Sequence, residues 1–424
     1  MPGWVSVASG IGTFLEKAQK ITRTNVSTGI ALRGTPSVTV CQKEMTLALE
    51  ILFGIAATVF SVMTLQALIS LRHVRRLPTL DGAEVLPKVS IIFAARDEAE
   101  RVETTIRRLL AQKGVEFEII PVDDRSRDET GQIFKKLSGE DARVRPKRVD
   151  VLPPDWLGKC HACHLGAQSA TGEWLLFTDA DCWLNDDVLL RALSVAKAEK
   201  VQHITMTPGV APTTIFAEAW HLAFLLSSAD WIARVNTDHP RGYLGAGAFN
   251  LVERETYWKC GGHEALRLTV VEDVKFGKLV RRSGARTRAF LGGDDVECHW
   301  GVTVRQMVQI MEKNYFAVIN YRTWLAVLVG PICLLVWGGA LVGLFSGSFL
   351  GTTAGIALLS AIVPTALIAR KLGWRMRGAF LTPLVLAALF YAMLRSAYLI
   401  LRAGGVKWRD TFYPLDKLRA GNVN

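Results

Sequence analysis

In "GEWLLFTDADC" (residues 172–182) a glycine leads into the apolar run Trp174–Thr178, and the run ends in two carboxylates, Asp179 and Asp181. An apolar stretch this short, bounded by turn residues, is a buried strand. Charged groups do not follow it into the core without partners, so both aspartates belong at its carboxyl end. Residues two apart in extended chain project to the same side. Two carboxylates so placed suit one hard divalent cation, with water and phosphate oxygens completing its shell. Such a cation would neutralise a departing diphosphate. A solvated turn at a strand end has the same composition, so the neighbouring elements must discriminate.

Upstream, "VSIIFA" (residues 89–94) is a second buried strand. "DEAERVETTIRRLLAQKG" follows, with Val102, Ile106, Leu109 and Leu110 on one helical face and Gly114 as the stop. "FEIIPV" is the next strand and ends at Asp123 and Asp124, and a helix carrying Ile133, Phe134 and Leu137 comes after it. Beyond Asp181, "DVLLRALSVAKA" has the pattern of a helix and "HITMT" that of a strand. The alternation predicts an α/β fold of parallel strands joined by crossover helices. Ligands of such sheets bind beyond the carboxyl ends of the strands, where two of these runs place aspartates. The first strand is followed by "AARDEA" rather than G-x-G-x-x-G, so a dehydrogenase is not expected. A third acidic pair, Glu272 and Asp273 in "VVEDV", precedes the helix "VKFGKLVRRSG". An acidic helix start accounts for either residue; so does a general base for an acceptor hydroxyl.

The flanks differ in character. Half of the 424 residues are hydrophobic although 21% are charged, and the apolar ones are concentrated in residues 45–71, 324–345, 350–369 and 379–401. The first three are long enough, at about 20 residues or more, to cross a bilayer. The fourth carries Arg395, which costs about 2.5–3.5 kcal/mol at a helix centre, so it spans, re-enters or lies in the interface. The basic segments "RHVRR" (72–76) and "ARKLGWRMR" (369–377) place the middle of the chain in the cytoplasm, at the inner membrane if the source is bacterial. A net charge of +11 fits a protein held against anionic lipid. No basic stripe with interleaved aromatics points to nucleic acid. The seven cysteines fall mostly in the cytoplasmic part, where disulfides are not expected. Residues 1–44 lack the plan of a signal peptide and are expected to be disordered or to precede the native start. The organisation is then a span at 45–71, an α/β domain at 89–321, a membrane region at 324–401 and a basic tail at 402–424.

The ordered pieces "VSIIFAARDEAERVETTIRRLLAQ", "VDDRSRDET", "WLGKCHACHLGAQSATGEWLLFTDADC" and "GGHEALRLTVVEDVKFGKLVRRSG" resemble the family-two glycosyltransferases of the GT-A fold, over residues 89–321. One amino-terminal span, several carboxyl-terminal spans and the tail "GGVKWRDTFYPLDKLR" make the chain similar to the membrane-bound branch that includes ceramide glucosyltransferase and the hopanoid- and carotenoid-associated bacterial enzymes. The resemblance implies a Rossmann-like nucleotide-sugar-binding domain in which Ala95, Arg96 and Glu98 meet the nucleotide and Asp123 contacts the uridine. It implies that Lys159 approaches the diphosphate, that Asp179 and Asp181 hold Mg2+ or Mn2+ with the sugar diphosphate, and that Asp273 is the catalytic base with Glu272 beside it. The implied activity is inverting transfer of a hexose from a nucleotide-diphosphate sugar, a UDP-sugar by preference, to a hydroxyl of a membrane lipid. Two departures stand out. Ala94 and Asp97 replace the family's proline and asparagine, and Q-x-x-R-W is replaced by "CHWGVTVRQMVQIMEKNYF", with Trp300 and Arg305 as weak substitutes. Two other functions compete: a processive polysaccharide synthase, disfavoured by the missing motif and the few carboxyl-terminal spans, and a non-catalytic membrane scaffold that binds nucleotide sugars, disfavoured by the intact acidic set.

"KCHACHLG" (159–166) has the ligand types of a zinc site, but Cys160, Cys163 and His164 share one helical face and no second close pair exists in the sequence. A buried helix face behind the nucleotide site is expected instead, with Lys159 as its informative residue. His263 in "GGHEALR" fits a pocket-shaping role and a structural turn equally. Residues 213–235 form an aromatic-rich amphipathic helix, suited either to the core or to the membrane interface.

Overall fold

The computed structural model describes residues 38–79, 85–210, 214–299 and 303–423, so the expectation for residues 1–37 lies outside the described residues. Helix α1 spans Val38–Ser70. Residues 38–44, expected to be disordered or to precede the native start, are its first turns; "VTVCQKE" holds neither glycine nor proline, so nothing stops the helix there.

The α/β domain runs β1 (Val89–Ala95), α2 (Ala99–Leu110), β2 (Phe117–Asp124), α3 (Thr130–Glu140), β3 (Lys147–Val149), α4 (Gly158–Ser169), β4 (Trp174–Asp179), β5 (Cys182–Leu184), α5 (Val188–Glu199), β6 (His203–Val210), α6 (Ile215–Asn236), β7 (Asn250–Glu253), α7 (Arg254–Lys259), α8 (Glu272–Arg282) and β8 (Thr287–Cys298). These strands form one sheet in the order β3-β2-β1-β4-β7-β6-β8-β5. The strands around β1 are parallel, as expected. The sheet as a whole is mixed, because β7 lies antiparallel between β4 and β6, and β5 lies antiparallel to β8. The helix α6 leaves the sheet instead of returning along it, so the strand that follows is free of the parallel crossover constraint.

Both faces of β1 are covered. Ile91 and Phe93 pack on the α2 stripe Val102, Ile106 and Leu109 and on Phe134; Ile92 packs with Val122, Ala162, Cys163 and Phe177 on the other face. Each such side chain contributes about 1.5–3 kcal/mol when fully buried. That is why these strands read as unbroken apolar runs.

After β8 come α9 (Val304–Val318), α10 (Thr323–Gly343), α11 (Phe349–Ser360), α12 (Ile362–Leu372), α13 (Thr382–Ala403), the hairpin β9 (Gly405–Trp408) and β10 (Thr411–Pro414), and α14 (Leu415–Ala420). Among the described residues, four helical stretches are long and apolar enough to cross a membrane: Val40–Ser70, Thr323–Gly343, Phe349–Leu372 and Met376–Ala403. The third is interrupted at Ala361. The fourth is helical through Arg395, whose guanidinium pairs with Glu312 of α9 at 2.6 Å. That ion pair answers the cost of the charge. Helix α6 takes a core position between the sheet and these helices. Leu222, Leu225 and Ile232 pack with Leu71, Leu291 and Ile368, and Trp220 packs with Met311 and Leu389.

Candidate active site

A cleft of about 260 Å³ opens at the carboxyl ends of β1, β2 and β4. Register brings the three strand ends together, with Ala95 opposite Asp123 and Ala94 opposite Asp179. Ala95, Arg96, Glu98, Lys159, Asp179 and Asp181 all line the cleft. Lys159 projects from the first turn of α4, its Nζ 2.6 Å from Asp179 Oδ1 and 2.7 Å from Glu272 Oε1. Burial by itself would lower its pKa, but Asp179, Glu272 and Asp273 outweigh burial and hold it well above the ordinary lysine value. Gly158 precedes it because a Cβ there would stand 2.1 Å from Asp124 Oδ2.

Asp273 opens α8 and reaches the same place from the other side. Its Oδ2 accepts a hydrogen bond from the Gly247 N–H at 2.9 Å and its Oδ1 one from the Val274 N–H at 2.8 Å. Gly247 is where the strand-end and helix-start carboxylates meet. A Cβ on it would lie 2.5 Å from Asp179 Oδ2 and 3.4 Å from Asp273 Oδ2. Burial, then the Glu272 charge, pushes the Asp273 carboxyl up to about 6. Burial, then the Asp179 charge, does the same to Asp181, also to about 6. Glu272 is buried and faces Lys159, so the two adjacent acids have different partners.

Residues 90–261 match the model of glycosyl transferase family 2. Residues 90–261 are a family 2 glycosyltransferase domain. A mannosyltransferase from Pyrobaculum calidifontis, solved in complex with GDP-Man and Mn2+, shares the GT-A fold with this chain at a TM-score of 0.51 and 18% identity, covering 82% of this chain and 98% of that one. The 4,4'-diaponeurosporenoate glycosyltransferase of Staphylococcus haemolyticus is 25% identical over 214 residues, 49% of this chain and 56% of the relative. The enzyme of the same name from Staphylococcus aureus strain USA300 is 24% identical over 192 residues, 45% and 50% of the respective chains. The chain spans about half the length of the curated relatives it matches.

Some expected residues sit elsewhere than the cleft wall. Asp123 is buried, accepts from the Ser126 N–H at 2.8 Å and pairs with Arg148 at 2.6 Å, and its neighbour Asp124 lines the cleft. Asp97 has φ +54. Asparagine is the commoner choice at such left-handed positions and aspartate is tolerated there, which rationalises this departure from the family pattern. Arg305 is exposed on the first turn of α9, and Trp300 lies outside the described residues. His263 stacks among Phe177, Tyr257 and Phe276, and burial lowers its pKa to about 3, so it is a core histidine. Arg125 lines the cleft too, and four residues from beyond β8 join it: Lys313 of α9, and Trp408, Arg409 and Tyr413 of the carboxyl-terminal hairpin. The glycines of "GAGAF" around Gly247 were a readable signal of close approach; the hairpin residues carried none beyond their aromatic and basic character.

The helix α4 separates its two cysteines between different clusters. Cys160 packs with Leu157 and Leu418, Cys163 with Ile92 and Phe177. Burial pushes the Cys163 thiol up to about 12 and raises Cys160 in the same direction, so both stay protonated. His161 and His164 flank the Trp156 ring at 5.3 Å each. Cys160→Ala with Cys163→Ala is expected to keep activity within about tenfold, or roughly 1.4 kcal/mol of barrier. Metal analysis of the purified pair of proteins checks this: stoichiometric zinc in the parent, lost with folding in the variant, would be the opposite result.

Proposed function

We propose that this chain transfers a hexose from a nucleotide-diphosphate sugar, a UDP-sugar, to a hydroxyl of a membrane lipid with inversion at the anomeric carbon. The observation that carries the reading is the meeting of Asp179 and Asp273 across Gly247 at the end of the cleft. One carboxylate belongs to the donor side, the other to the side from which an acceptor approaches. The residues present fit a divalent metal. Asp181 is half-buried, stands 3.7 Å from the Cys182 thiol, and is raised to about 6 by burial and then by the Asp179 charge. An all-oxygen pair with Asp179 suits Mg2+ or Mn2+. When bound, such a cation supplies positive charge to the leaving diphosphate.

The chain's own groups do the rest. Lys159 places a second positive charge beside the same phosphates, oriented by Glu272. Asp273, fixed by two backbone N–H groups, accepts the proton of the lipid hydroxyl as its oxygen attacks on the face opposite the diphosphate. Displacement from that face inverts the centre. The apolar helices and the carotenoid acid named as acceptor of the Staphylococcus relatives support a lipid substrate. Both basic segments lie on the side of the family 2 domain, Arg75 pairing with Glu199 at 2.5 Å and Arg377 with Glu218 at 3.2 Å. By the positive-inside rule this supports a cytoplasmic domain, with spans at 45–71 and within 324–401.

Because Asp273 works as a base only when ionised, transfer at saturating metal is expected to fall as pH drops through about 6, the value to which burial raises it. Rates measured between about pH 5 and pH 8 test this; a flat profile there would remove the base from the scheme. The broader test is mass spectrometry of lipids from cells with and without the gene, joined to assays of the purified chain with UDP-sugar and lipid extract. A single added hexose supports the reading. Long polymers would indicate a synthase, and binding without turnover a scaffold.

A further inference from the structure

We propose that Lys313, held in place by the carboxyl-terminal hairpin, binds the diphosphate of the nucleotide; the inference rests on the donor reading above. The cleft wall carries five cations. Four have acidic partners: Arg96 with Asp410 at 2.8 Å, Arg125 with Asp124 at 2.7 Å, Lys159 with Asp179 and Glu272, and Arg409 with Glu98 at 3.1 Å. Lys313 makes no ion pair among the described residues. Its Nζ lies 4.0 Å over the ring of Trp408. It is half-buried, and burial, with Lys159 next, lowers its pKa below that of an ordinary lysine. An ammonium partly withdrawn from water is costly without an anion, and a cation–π contact compensates only in part. The anion that fits is one that occupies the same cleft as Asp179 and Asp181 and carries enough charge to draw a second lysine.

The hairpin explains how Lys313 is aimed. It leaves α13 at Gly404, which has φ +69, and pairs Trp408 with Thr411. Asp410 in its turn pairs with Arg96 and, at 3.2 Å, with Arg127, while Arg409 reaches Glu98. The turn is thus tied to the loops after β1 and β2, and the strand before it sets the indole beneath Lys313. Trp408 is a positioning residue. The lysine comes from a helix that packs on α13, so donor binding and the membrane helices share one structural element.

The test uses the full chain in lipid nanodiscs with Mn2+, titrated calorimetrically with UDP and with uridine. Lys313→Gln is expected to weaken UDP binding about 10- to 100-fold, the range of one lost charged hydrogen bond. Uridine binding stays unchanged, and Lys313→Arg recovers most of the loss. Trp408→Leu is expected to weaken UDP by a smaller factor and to spare uridine. Wild-type UDP affinity in Lys313→Gln would overturn the proposal, as would an equal loss for UDP and uridine, which marks a purely structural role. If the parent chain binds neither UDP nor GDP with metal, the donor reading itself fails, a result distinct from either.

Discussion

Asp273→Asn is expected to lower transfer to lipid by about 10²- to 10⁴-fold, the usual worth of general-base assistance. The substitution keeps the shape of the side chain and one acceptor oxygen. It cannot keep both contacts, because the amide N–H2 would face either the Gly247 or the Val274 N–H, which now donate to the two carboxylate oxygens at 2.9 and 2.8 Å. A local cost of about 1–3 kcal/mol follows, so thermal stability is to be measured beside the rate. Donor affinity should change by only a few-fold, since Lys159 and the Asp179–Asp181 pair remain. Glu272→Gln should show the reverse: it loosens the 2.7 Å contact to Lys159 and weakens donor binding while the base survives. Calorimetry with the donor and transfer rates with a lipid extract separate the two. Normal transfer by Asp273→Asn with loss in Glu272→Gln would move the base to Glu272, and normal transfer by both would exclude this acidic pair from proton abstraction.

Asp181→Ala should remove metal-dependent turnover, at a cost of at least about 100-fold. The fold should survive, because the side chain lies in the turn between β4 and β5 and its backbone carbonyl still accepts from the His299 N–H at 3.1 Å. The loss of a carboxyl held near pH 6 also relieves its repulsion with Asp179, so thermal stability should hold or rise slightly. Rates against Mn2+ and Mg2+ concentration, with melting curves, check both parts. Wild-type turnover in the variant, or full activity of the parent in excess chelator, would count against the metal site.

Much of this was legible in residue order. The strands β1, β2 and β4 are apolar on both faces because helices cover both faces, so they stand out from any background. Their ends are marked by aspartates because charge must stop where the core stops. The stripe Val102, Ile106 and Leu109 is buried as its period requires. Membrane helices announce themselves through length and composition, which local sequence determines fully.

The rest depended on residues far apart in the chain. Nothing near Asp124 says that it, and not Asp123, lines the cleft; the pleat that turns alternate side chains to opposite faces is fixed only by pairing with β1 and by Arg148. The antiparallel β7 follows from where α6 is needed, against the membrane helices, and not from its own four residues. Trp408 enters the cleft only because α13 carries the hairpin back over the strand ends, Lys313 only because α9 docks on α13, and Gly247 joins Asp179 to Asp273 only once the loop before β7 folds between them. Sequence by itself determined which groups could carry charge and where strands had to end, because burial of apolar surface is a local demand. Tertiary structure decided which of those groups face one another, because long-range strand pairing and helix docking set the distances on which electrostatics and catalysis depend.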